Sequence, residues 1–413
     1  SVEETETVGK YLFRSLRHNR FWITDSYESV TSGEFCLRAL AIAGKLANPL
    51  SKVQTVAILL PKGIEGMSMA TALQFMGKTI VFLDRSQTVE ERHHILQRSK
   101  AKVLITTNDL NFTKYSPTAV QVMYVEDLRT TIGWLDKLGA RVEMLLARIG
   151  LGAIGESDTD NSVLIFEPSA DGEFKGIPLS HSNILSHQNA LQQVFGTSSD
   201  KRMLSNFRLN NAFGFTFEFI YGLCSVIDLH LFDERLTDAE LLEAVRKVKP
   251  QILLATASEM ERLFSVGDDW NFIDYVHTDG QALNPLTSHV LQAYNIKQMM
   301  SAGLNECCSV FTVNTPDFLG SDIAGKTMSQ IGQLDGSVGK PLPGVAIRVV
   351  DNMNPALELP QGSYGRVMIK GSSVIRTYLD NCYDWSKHFY DEWFITPLSG
   401  YLDTRGFLVL GKE

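Results

Sequence analysis

The sequence predicts an α/β protein with a doubly wound body of parallel sheet and a smaller β unit towards the C-terminus. Up to about residue 325, short apolar runs of strand length alternate with stretches of helical periodicity. Strands that alternate with single helices pair in parallel through right-handed crossovers. Beyond about residue 338, strand follows strand through turns without a helix between them, which predicts a small antiparallel barrel.

The first third of the chain supplies the clearest strands. We predict strands at 55–60, 79–83 and 102–106, separated by helices around 66–75 and 88–99. The run at 55–60 is continuously apolar, as in a strand that is buried on both faces. The second helix begins at Thr88 and carries Glu90 and Glu91 in its first turn, where acidic side chains are favoured.

Residues 107–160 give a weaker pattern with one amphipathic stretch. Apolar residues recur there at helical spacing, with basic residues between them. The apolar set is Leu138, Val142, Leu145, Leu146 and Ile149, and the basic set is Lys137, Arg141 and Arg148. We interpret the apolar stripe as covering the domain's own core, with a helix on a membrane surface as the less favoured alternative.

The alternation resumes at residue 162. We predict a strand at 162–166, a helix capped by Ser182 that runs to about residue 194, a helix at 237–247 and a strand at 251–255. The small β unit begins with strands at 345–350 and 364–370, joined by a turn region at 351–362.

Composition excludes several classes of protein. The chain has 413 residues, which corresponds to roughly two to three domains, and 31 Gly and 13 Pro are too few for a collagenous or low-complexity chain. A net charge of −9 argues against nucleic acid as the main partner. The five cysteines form no CxxC motif, so we expect a reducing compartment and neither a disulfide framework nor a zinc site.

One loop has the shape of a phosphate-binding loop. The strand at 162–166 leads into EPSADGEFKG at 167–176, in which small residues and Lys175 precede the next apolar segment. Taken alone the signal is weak, since the loop is not a Walker A motif. Lys175 supplies the positive charge that a phosphate needs, whereas Glu167, Asp171 and Glu173 oppose a polyphosphate.

Together with the segments that follow, this loop resembles the core loop of the acyl-adenylate-forming superfamily, which includes acyl-CoA synthetases, luciferases and nonribosomal peptide adenylation domains. The superfamily pattern ends in Lys-Gly, followed by apolar residues and Ser-His. The matching residues here are Gly172, Lys175, Gly176, Ser180 and His181. Further matches follow in the same order along the chain: NAFGFT at 211–216, YVHTDGQ at 275–281, AGLNE at 302–306, GSVGKPLPG at 336–344, QGSYGRV at 361–367, WFITPL at 393–398 and GFLVLGK at 406–412.

The resemblance covers roughly residues 20–413 and implies the large domain of an adenylate-forming enzyme. It implies two α/β subdomains at 1–155 and 156–330, a β-barrel at 331–395, a lead-in to a hinge at 396–413, and absence of the small C-terminal domain. The likeness is greatest to the acyl-acyl carrier protein synthetases. The residues that match this branch are the stretch 305–314 and the Phe-Gly-x-Thr segment. In that branch this domain often follows a phospholipid acyltransferase domain.

The resemblance also implies an activity and partners. Such enzymes use ATP and Mg²⁺ to convert a carboxylate into acyl-AMP, and then pass the acyl group to the phosphopantetheine thiol of an acyl carrier protein or of CoA. The expected substrate is a fatty acid or another carboxylate. We expect a cytoplasmic location, at the inner face of a membrane if a phospholipid acyltransferase is fused to or associated with the chain.

The resemblance assigns roles residue by residue. Lys175 and Glu306 are the candidate catalytic residues, and Glu306 is also the candidate magnesium ligand. The candidate nucleotide-binding residues are Asp171, Gly172, Gly176, Asp279, Gly280, Gln281, Ala302, Gly303 and Asn305. The candidate acyl-binding residues are Asn211, Phe213, Gly214 and Phe217.

Several of the superfamily's nucleotide contacts are replaced in this chain. Glu167 and Pro168 stand where hydroxyl groups would hold phosphate oxygens, and Pro168 also lacks a backbone N–H. Ala302 stands where an aromatic ring would stack on adenine, and Leu398 where an aspartate would bind the ribose. In the superfamily a further catalytic lysine lies in the small C-terminal domain, which we expect to be absent here. We therefore expect ATP and Mg²⁺ binding to be weak or absent, and no measurable acyl-adenylate.

The acyl site is less altered, and two classes of function stay open. Phe213, Phe215, Phe217 and Phe219 alternate like a strand, but as a helix they form two opposed stripes, 213/217 and 215/219. We favour a helix buried on both sides, one stripe of which could line an apolar tunnel. The chain is then either a divergent acid–thiol ligase or a pseudoenzyme that binds an acyl chain or a carrier protein without ATP chemistry.

Overall fold

The computed structural model describes residues 6–18, 20–109, 120–148, 154–169, 174–195, 200–232, 236–278, 283–315, 317–321, 327–379 and 387–411. The first strands are β1 (Trp22–Thr24), β2 (Ser29–Thr31), β3 (Thr55–Leu59), β4 (Thr79–Phe82), β5 (Val103–Thr106), β6 (Gln121–Tyr124), β7 (Asn161–Pro168), β8 (Phe174–Ser180), β9 (Arg202–Ser205), β10 (Asp228–His230), β11 (Ile252–Leu254), β12 (Tyr275–His277) and β13 (Lys297–Met299). The later strands are β14 (Ser301–Leu304), β15 (Ser309–Val313), β16 (Phe318–Ser321), β17 (Thr327–Gln330), β18 (Lys340–Pro341), β19 (Val345–Val350), β20 (Gly365–Gly371), β21 (Phe389–Tyr390), β22 (Trp393–Leu402) and β23 (Leu408–Leu410).

These residues include ten α-helices, one π-helix and one 3₁₀ turn. The α-helices are α1 (Val8–Leu16), α2 (Ser32–Leu46), α3 (Ile64–Phe75), α4 (Val89–Arg98), α5 (Val125–Thr131), α6 (Trp134–Arg148), α7 (His181–Phe195), α8 (Asp238–Val248), α9 (Ala257–Phe264) and α10 (Pro285–Ala293). The remaining two are a π-helix at Gly214–Gly222 and a 3₁₀ turn at Asn305–Cys307. None of the helices in the described ranges is long and apolar enough to cross a membrane.

The first subdomain is built on a six-stranded sheet in the order β6-β5-β3-β4-β7-β8. All neighbours pair in parallel except β7 and β8, which form an antiparallel hairpin. Successive residues of β3 belong to different cores: Val56 and Ile58 pack with α1, α2 and α3, whereas Ala57 packs with α4. Side chains alternate across a strand, so the continuous apolar run reflects burial on both faces, as predicted.

The second subdomain is built on a seven-stranded sheet in the order β13-β12-β11-β9-β10-β1-β2. Only β1 and β2 pair antiparallel, and the other neighbours are parallel. A separate apolar core lies between this sheet and α8, α9 and α10. The predicted doubly wound α/β body with two sheets is therefore confirmed.

The small β unit is an antiparallel sheet in the order β19-β20-β22-β21, with β23 paired to β22. The strand β22 crosses the boundary that the sequence placed between residues 395 and 396. The sheet continues to β23, so residues up to Leu410 belong to it and not only to a hinge.

The helix starts follow their capping residues, with one correction. Thr88 and Thr237 each form a capping box, with Glu91 and Glu240 respectively, at the predicted starts of α4 and α8. For α7 the predicted cap, Ser182, is wrong. Ser180 takes that role, since its hydroxyl accepts the backbone N–H of Asn183 at 3.0 Å while its own N–H donates to the Asn183 side chain at 3.1 Å.

The interpretation of the stripe on α6 is also wrong. Leu138, Val142, Leu145 and Leu146 are 48%, 50%, 61% and 40% exposed, and Ile149 lies outside the described residues. The buried face is the opposite one, with Ala140 and Met144 packed on the main core beside α2. Because both faces of this helix carry apolar residues four positions apart, periodicity could not show which face is buried.

Four of the cysteines, Cys36, Cys224, Cys307 and Cys308, are buried thiols. Burial raises the pKa of the Cys224 and Cys307 thiols to about 12, so these side chains behave as small core residues rather than as nucleophiles. Cys382 lies outside the described residues.

Buried histidines give the fold a pH dependence that can be measured. Burial lowers the pKa of His187 to about 4, below the value of about 6.5 in an unfolded chain. Below pH 6.5 the unfolded chain binds a proton that the folded chain does not, so stability decreases as the pH falls. We expect His187 to contribute about 2 kcal/mol to the loss of unfolding free energy between pH 7 and pH 5.

Urea denaturation at pH 7 and pH 5 tests this expectation in wild type and in His187→Gln. The variant is expected to show a smaller pH dependence of the unfolding free energy. His289 is exposed, so His289→Gln is the matched control and should keep the wild-type pH dependence. The same pH dependence of the unfolding free energy in wild type and in His187→Gln would contradict the contribution assigned to His187.

Candidate functional site

The β7–β8 hairpin brings the candidate catalytic lysine to a fixed position. Glu167 and Lys175 are direct partners in the antiparallel register of the hairpin, so their side chains lie on the same face of the sheet. The ammonium Nζ of Lys175 forms an ion pair with Oε1 of Glu167. A second ion pair joins the same Nζ to Oε1 of Glu306 at 2.7 Å.

Glu306 is held on the 3₁₀ turn between β14 and β15 and is 2% exposed. Its Oε1 also accepts a hydrogen bond from the Tyr378 hydroxyl at 2.8 Å. Its backbone carbonyl accepts the N–H of Ile375 at 2.9 Å. Two donors from different parts of the chain therefore fix one carboxylate oxygen, and no described residue donates to Oε2.

Asn305 connects this charged cluster to the candidate acyl site. Its side-chain Nδ2 donates to Oε2 of Glu167. Its Oδ1 accepts the backbone N–H of Ala212 at 2.8 Å, two residues before the π-helix begins. A single amide thus links the hairpin, the 3₁₀ turn and the start of the π-helix.

The cluster holds one positive and two negative charges. Burial raises the pKa of Glu167, and the nearby Glu306 carboxylate raises it further against the opposing effect of Lys175. For Lys175, burial alone would lower the pKa, but Glu306 and then Glu167 outweigh it and the pKa is raised. The ammonium therefore stays charged and is already neutralised by two carboxylates.

The structure brings together some of the predicted nucleotide-site residues. Lys175, Glu306 and Asn305 are in one cluster, and Gly176 lies beside Lys175 in β8. A Cβ atom on Gly176 would lie 2.9 Å from the Cβ of Leu379, so this glycine is required by close packing. Ala302 and Gly303 lie at a bulge in β14, which leads into the 3₁₀ turn. The candidates Asp171, Gly172, Asp279, Gly280 and Gln281 lie outside the described residues.

Sequence reasoning missed Tyr378 and the true partner of Glu167. Glu167 was predicted to repel phosphate, and the structure shows that it also binds Lys175. Two antiparallel strands joined by a short loop could have suggested this pair. Tyr378 contacts Glu306 across 72 residues, and no local pattern in the sequence signals such a contact.

The candidate acyl-binding residues surround the start of the π-helix. The side-chain oxygen of Asn211 accepts the backbone N–H of Gly214 at 2.7 Å, so it caps this helix. A Cβ atom on Gly214 would lie 1.9 Å from the carbonyl oxygen of Arg208, and only glycine fits there. The two predicted phenylalanine stripes form, with ring centroids 5.2 Å apart for Phe213 and Phe217. The other stripe, 215/219, is buried in the main core.

A cavity of about 500 Å³ opens beside the first stripe. Its wall is mostly apolar and includes Phe195, Phe217, Tyr221, Leu254, His277 and Met299. Lys201, which is half-buried, and Asp317, which is exposed, also line it. A largely apolar cavity with a few polar groups is the usual form of a small-molecule site.

Comparison with known proteins places this geometry in a family. The AMP-binding enzyme family matches residues 14–379. A 2-succinylbenzoate–CoA ligase from Bacillus licheniformis is 24% identical over 373 residues, which are 89% of this chain and 70% of that protein. The nonribosomal peptide synthetase apvA of Aspergillus terreus is 25% identical over 279 residues, which are 61% of this chain and 29% of that protein.

Solved structures agree on the fold. The o-succinylbenzoate CoA synthetase MenE from Bacillus subtilis superposes with a TM-score of 0.80 at 19% identity, covering 98% of this chain and 78% of that one. VinN superposes with a TM-score of 0.81 at 18% identity, covering 98% and 99%. The predicted likeness to acyl-acyl carrier protein synthetases is not tested by these comparisons and stays a prediction.

The charged cluster makes a testable contribution to stability. Lys175→Met leaves the Glu167 and Glu306 carboxylates facing each other without a cation, and we expect it to cost about 3 kcal/mol of unfolding free energy. In a Glu167→Gln background the same change should cost less, because only one carboxylate then remains unpaired. Urea denaturation of the four proteins in this cycle measures the difference.

Lys370→Met is the matched control for that cycle. Lys370 pairs with Glu392 on the surface, where the two side chains are 44% and 68% exposed. Removal of such a pair should cost no more than about 1 kcal/mol. Equal costs for Lys175→Met in both backgrounds would show that Glu167 does not depend on Lys175.

Proposed function

This chain belongs to the AMP-binding enzyme family, and from that premise we propose that it is an acyl- or aryl-CoA ligase-type domain that binds an organic acid and has a weakened ATP site. The observation that carries the proposal is the Lys175–Glu306 pair at 2.7 Å, linked through Asn305 to the start of the π-helix beside an apolar cavity. The reaction class is activation of a carboxylate as acyl-AMP, followed by transfer of the acyl group to a thiol.

The choice of thiol follows from the relatives rather than from the site. The Bacillus proteins named above are CoA ligases, which supports CoA as the acceptor. The phosphopantetheine arm of an acyl carrier protein presents the same thiol, and the sequence resemblance favours it. Transfer assays that start from preformed acyl-AMP, with CoA and with a carrier protein, would separate the two acceptors.

Glu306 has the chemistry to hold magnesium. Its Oε1 is occupied by Lys175 and Tyr378, while Oε2 receives no donor from the described residues. One carboxylate oxygen is enough for Mg²⁺ when phosphate oxygens and water supply the other ligands. The ion, when bound, would neutralise charge on those phosphates. No group of three or more His, Cys, Asp or Glu side chains suitable for a metal occurs in the described parts of the chain.

The residues around Lys175 fit ATP poorly. Lys175 would have to leave Glu167 to reach a phosphate. Pro168 has no N–H to donate, and the Ala302 side chain is buried and offers no ring to adenine. Leu398 packs against the main core and has no acceptor for ribose hydroxyl groups. These features support weak nucleotide binding.

A second candidate function follows from the same cluster. Because Glu167 neutralises Lys175, the domain could bind an acid in its cavity without ATP chemistry. The acid-binding cavity does not depend on the hairpin carboxylate, since its lining residues come from α7, the π-helix, β11, β12 and neighbouring strands. Direct binding of acids and of ATP, measured separately, distinguishes the two functions.

Replacement of the altered loop residues should restore nucleotide binding. Two like charges at about 4 Å repel by about 1 kcal/mol in water and about 4 kcal/mol at an effective dielectric constant of 20. A lost charge-assisted hydrogen bond adds about 1.5–3 kcal/mol. We therefore expect Glu167→Thr, Pro168→Ser and Ser169→Gly together to raise ATP affinity at least about tenfold, measured by calorimetric titration with ATP and Mg²⁺.

The control is Glu90→Thr, which removes an exposed carboxylate on α4 and should leave ATP affinity unchanged. Micromolar ATP binding by wild type would show that the hairpin holds phosphate despite Glu167. An unchanged ATP affinity in the triple variant would show that the missing contacts to adenosine, at Ala302 and Leu398, limit ATP binding instead.

Exchange of labelled pyrophosphate into ATP reports acyl-adenylate formation itself. With C8–C18 fatty acids and with aryl acids, wild type should stay at the level of a no-enzyme control, because Lys175 is neutralised by Glu167 and Glu306. Exchange by wild type well above that control would show that Lys175 readily leaves its two carboxylate partners. That result would contradict the proposal of a weakened ATP site.

A further inference from the structure

A buried histidine in the acid cavity lacks hydrogen-bond partners. His277 ends β12, is 1% exposed and lines the cavity. Neither Nδ1 nor Nε2 has a partner in the described parts of the chain. His187 is also buried, but its Nε2 lies 3.1 Å from the carbonyl oxygen of Val310. A buried polar group without a partner costs about 1–3 kcal/mol, so such groups in a cavity wall point to a ligand.

Aromatic neighbours fix the orientation of this imidazole. The rings of Phe213 and Phe217 lie 5.0 Å and 4.9 Å from it between centroids, tilted by only 18° and 20°. The ring of Phe195 meets it edge-on, at 6.2 Å and 82°. At these centroid distances near-parallel rings are offset-stacked, so the two phenylalanine rings hold the imidazole plane in place. The aromatic rings that line the cavity beside His277 are those of Phe195, Phe217 and Tyr221, and flat ligands make favourable ring contacts with such side chains.

Charge determines which ligand group suits His277. Burial lowers its pKa to about 3, so the ring is neutral near pH 7 and offers one donor and one acceptor. The neighbouring cation at the cavity, Lys201, is paired with Asp274 at 3.1 Å. A carboxylate beside His277 would therefore be buried without a compensating charge. A hydroxyl group, which both donates and accepts, matches the imidazole.

We propose that His277 makes this cavity selective for a flat aryl acid that carries a hydroxyl group at the end remote from its carboxylate. The inference rests on the proposed function, in which the cavity holds the acid. The remote hydroxyl hydrogen-bonds to His277 while the ring of the acid packs against Phe217 and Tyr221, which line the cavity. The carboxylate then points away from His277. A saturated fatty acid leaves both imidazole nitrogens unpaired.

Two acids that differ by one hydroxyl group test the proposal. Calorimetric titration of the chain without nucleotide, using 6-hydroxy-2-naphthoate and 2-naphthoate, should show about tenfold tighter binding of the hydroxylated acid, which corresponds to about 1.4 kcal/mol. Decanoate, the saturated comparison, should bind more weakly than the hydroxylated acid. His277→Phe keeps an aromatic ring but no hydrogen-bonding group, and should abolish the preference.

Two further variants make the result specific. His277→Gln supplies a donor and an acceptor and should retain part of the preference, whereas a purely structural role for His277 would not be restored in this way. His289→Gln replaces an exposed histidine that does not line the cavity and should leave the preference intact. Thermal melts confirm that each variant is folded.

The outcomes separate this inference from the proposed function. Equal binding of the two naphthoates by wild type, or an undiminished preference in His277→Phe, overturns the role of His277 but leaves acid binding in place. Failure of all three acids to bind overturns the acid-binding function and this inference together. A preference that His277→Phe abolishes and His277→Gln partly restores supports the proposal.

Discussion

The arrangement of the candidate site depends on one constraint: Lys175 has a single ammonium group, which Glu167 and Glu306 both bind. The hairpin register places Glu167 opposite Lys175, and the 3₁₀ turn between β14 and β15 brings Glu306 to the same ammonium group. Since a phosphate would need the same ammonium, any nucleotide must displace a carboxylate that is already well placed. Glu167 therefore acts in two ways, by repelling phosphate and by occupying the lysine that would attract it.

Asn305 extends this constraint to the acid cavity. Its amide donates to Glu167 and accepts from Ala212, so one side chain joins the hairpin to the start of the π-helix. A movement of Glu167 that released Lys175 would also free one end of this amide. The charged cluster and the first phenylalanine stripe, which begins at Phe213, are thus mechanically connected.

Much of the fold could be predicted because its signals are local. Apolar runs at β3, β4 and β5 and capping residues such as Thr88 determine nearby backbone. The buried face of α6 could not be predicted, since its two faces are both apolar and only packing against α2 chooses between them. The site divides in the same way. Lys175 and Glu306 were found through motifs, whereas Tyr378 reaches Glu306 from a distant segment that no periodicity describes.

His277 shows why a residue within a recognised motif can be given no role by the sequence alone. In the sequence it stands in YVHTDGQ, where the following turn carries the candidate nucleotide residues. Its chemistry is decided by burial among Phe213, Phe217 and Phe195, which no alignment of motif letters reveals. An exposed imidazole at that position would be satisfied by water and would titrate near neutrality. Buried and neutral, it can complement only a ligand group that is itself uncharged. In the proposed function, the cavity wall discriminates between acids at the end of the molecule farthest from the carboxylate, independently of how well the hairpin holds ATP.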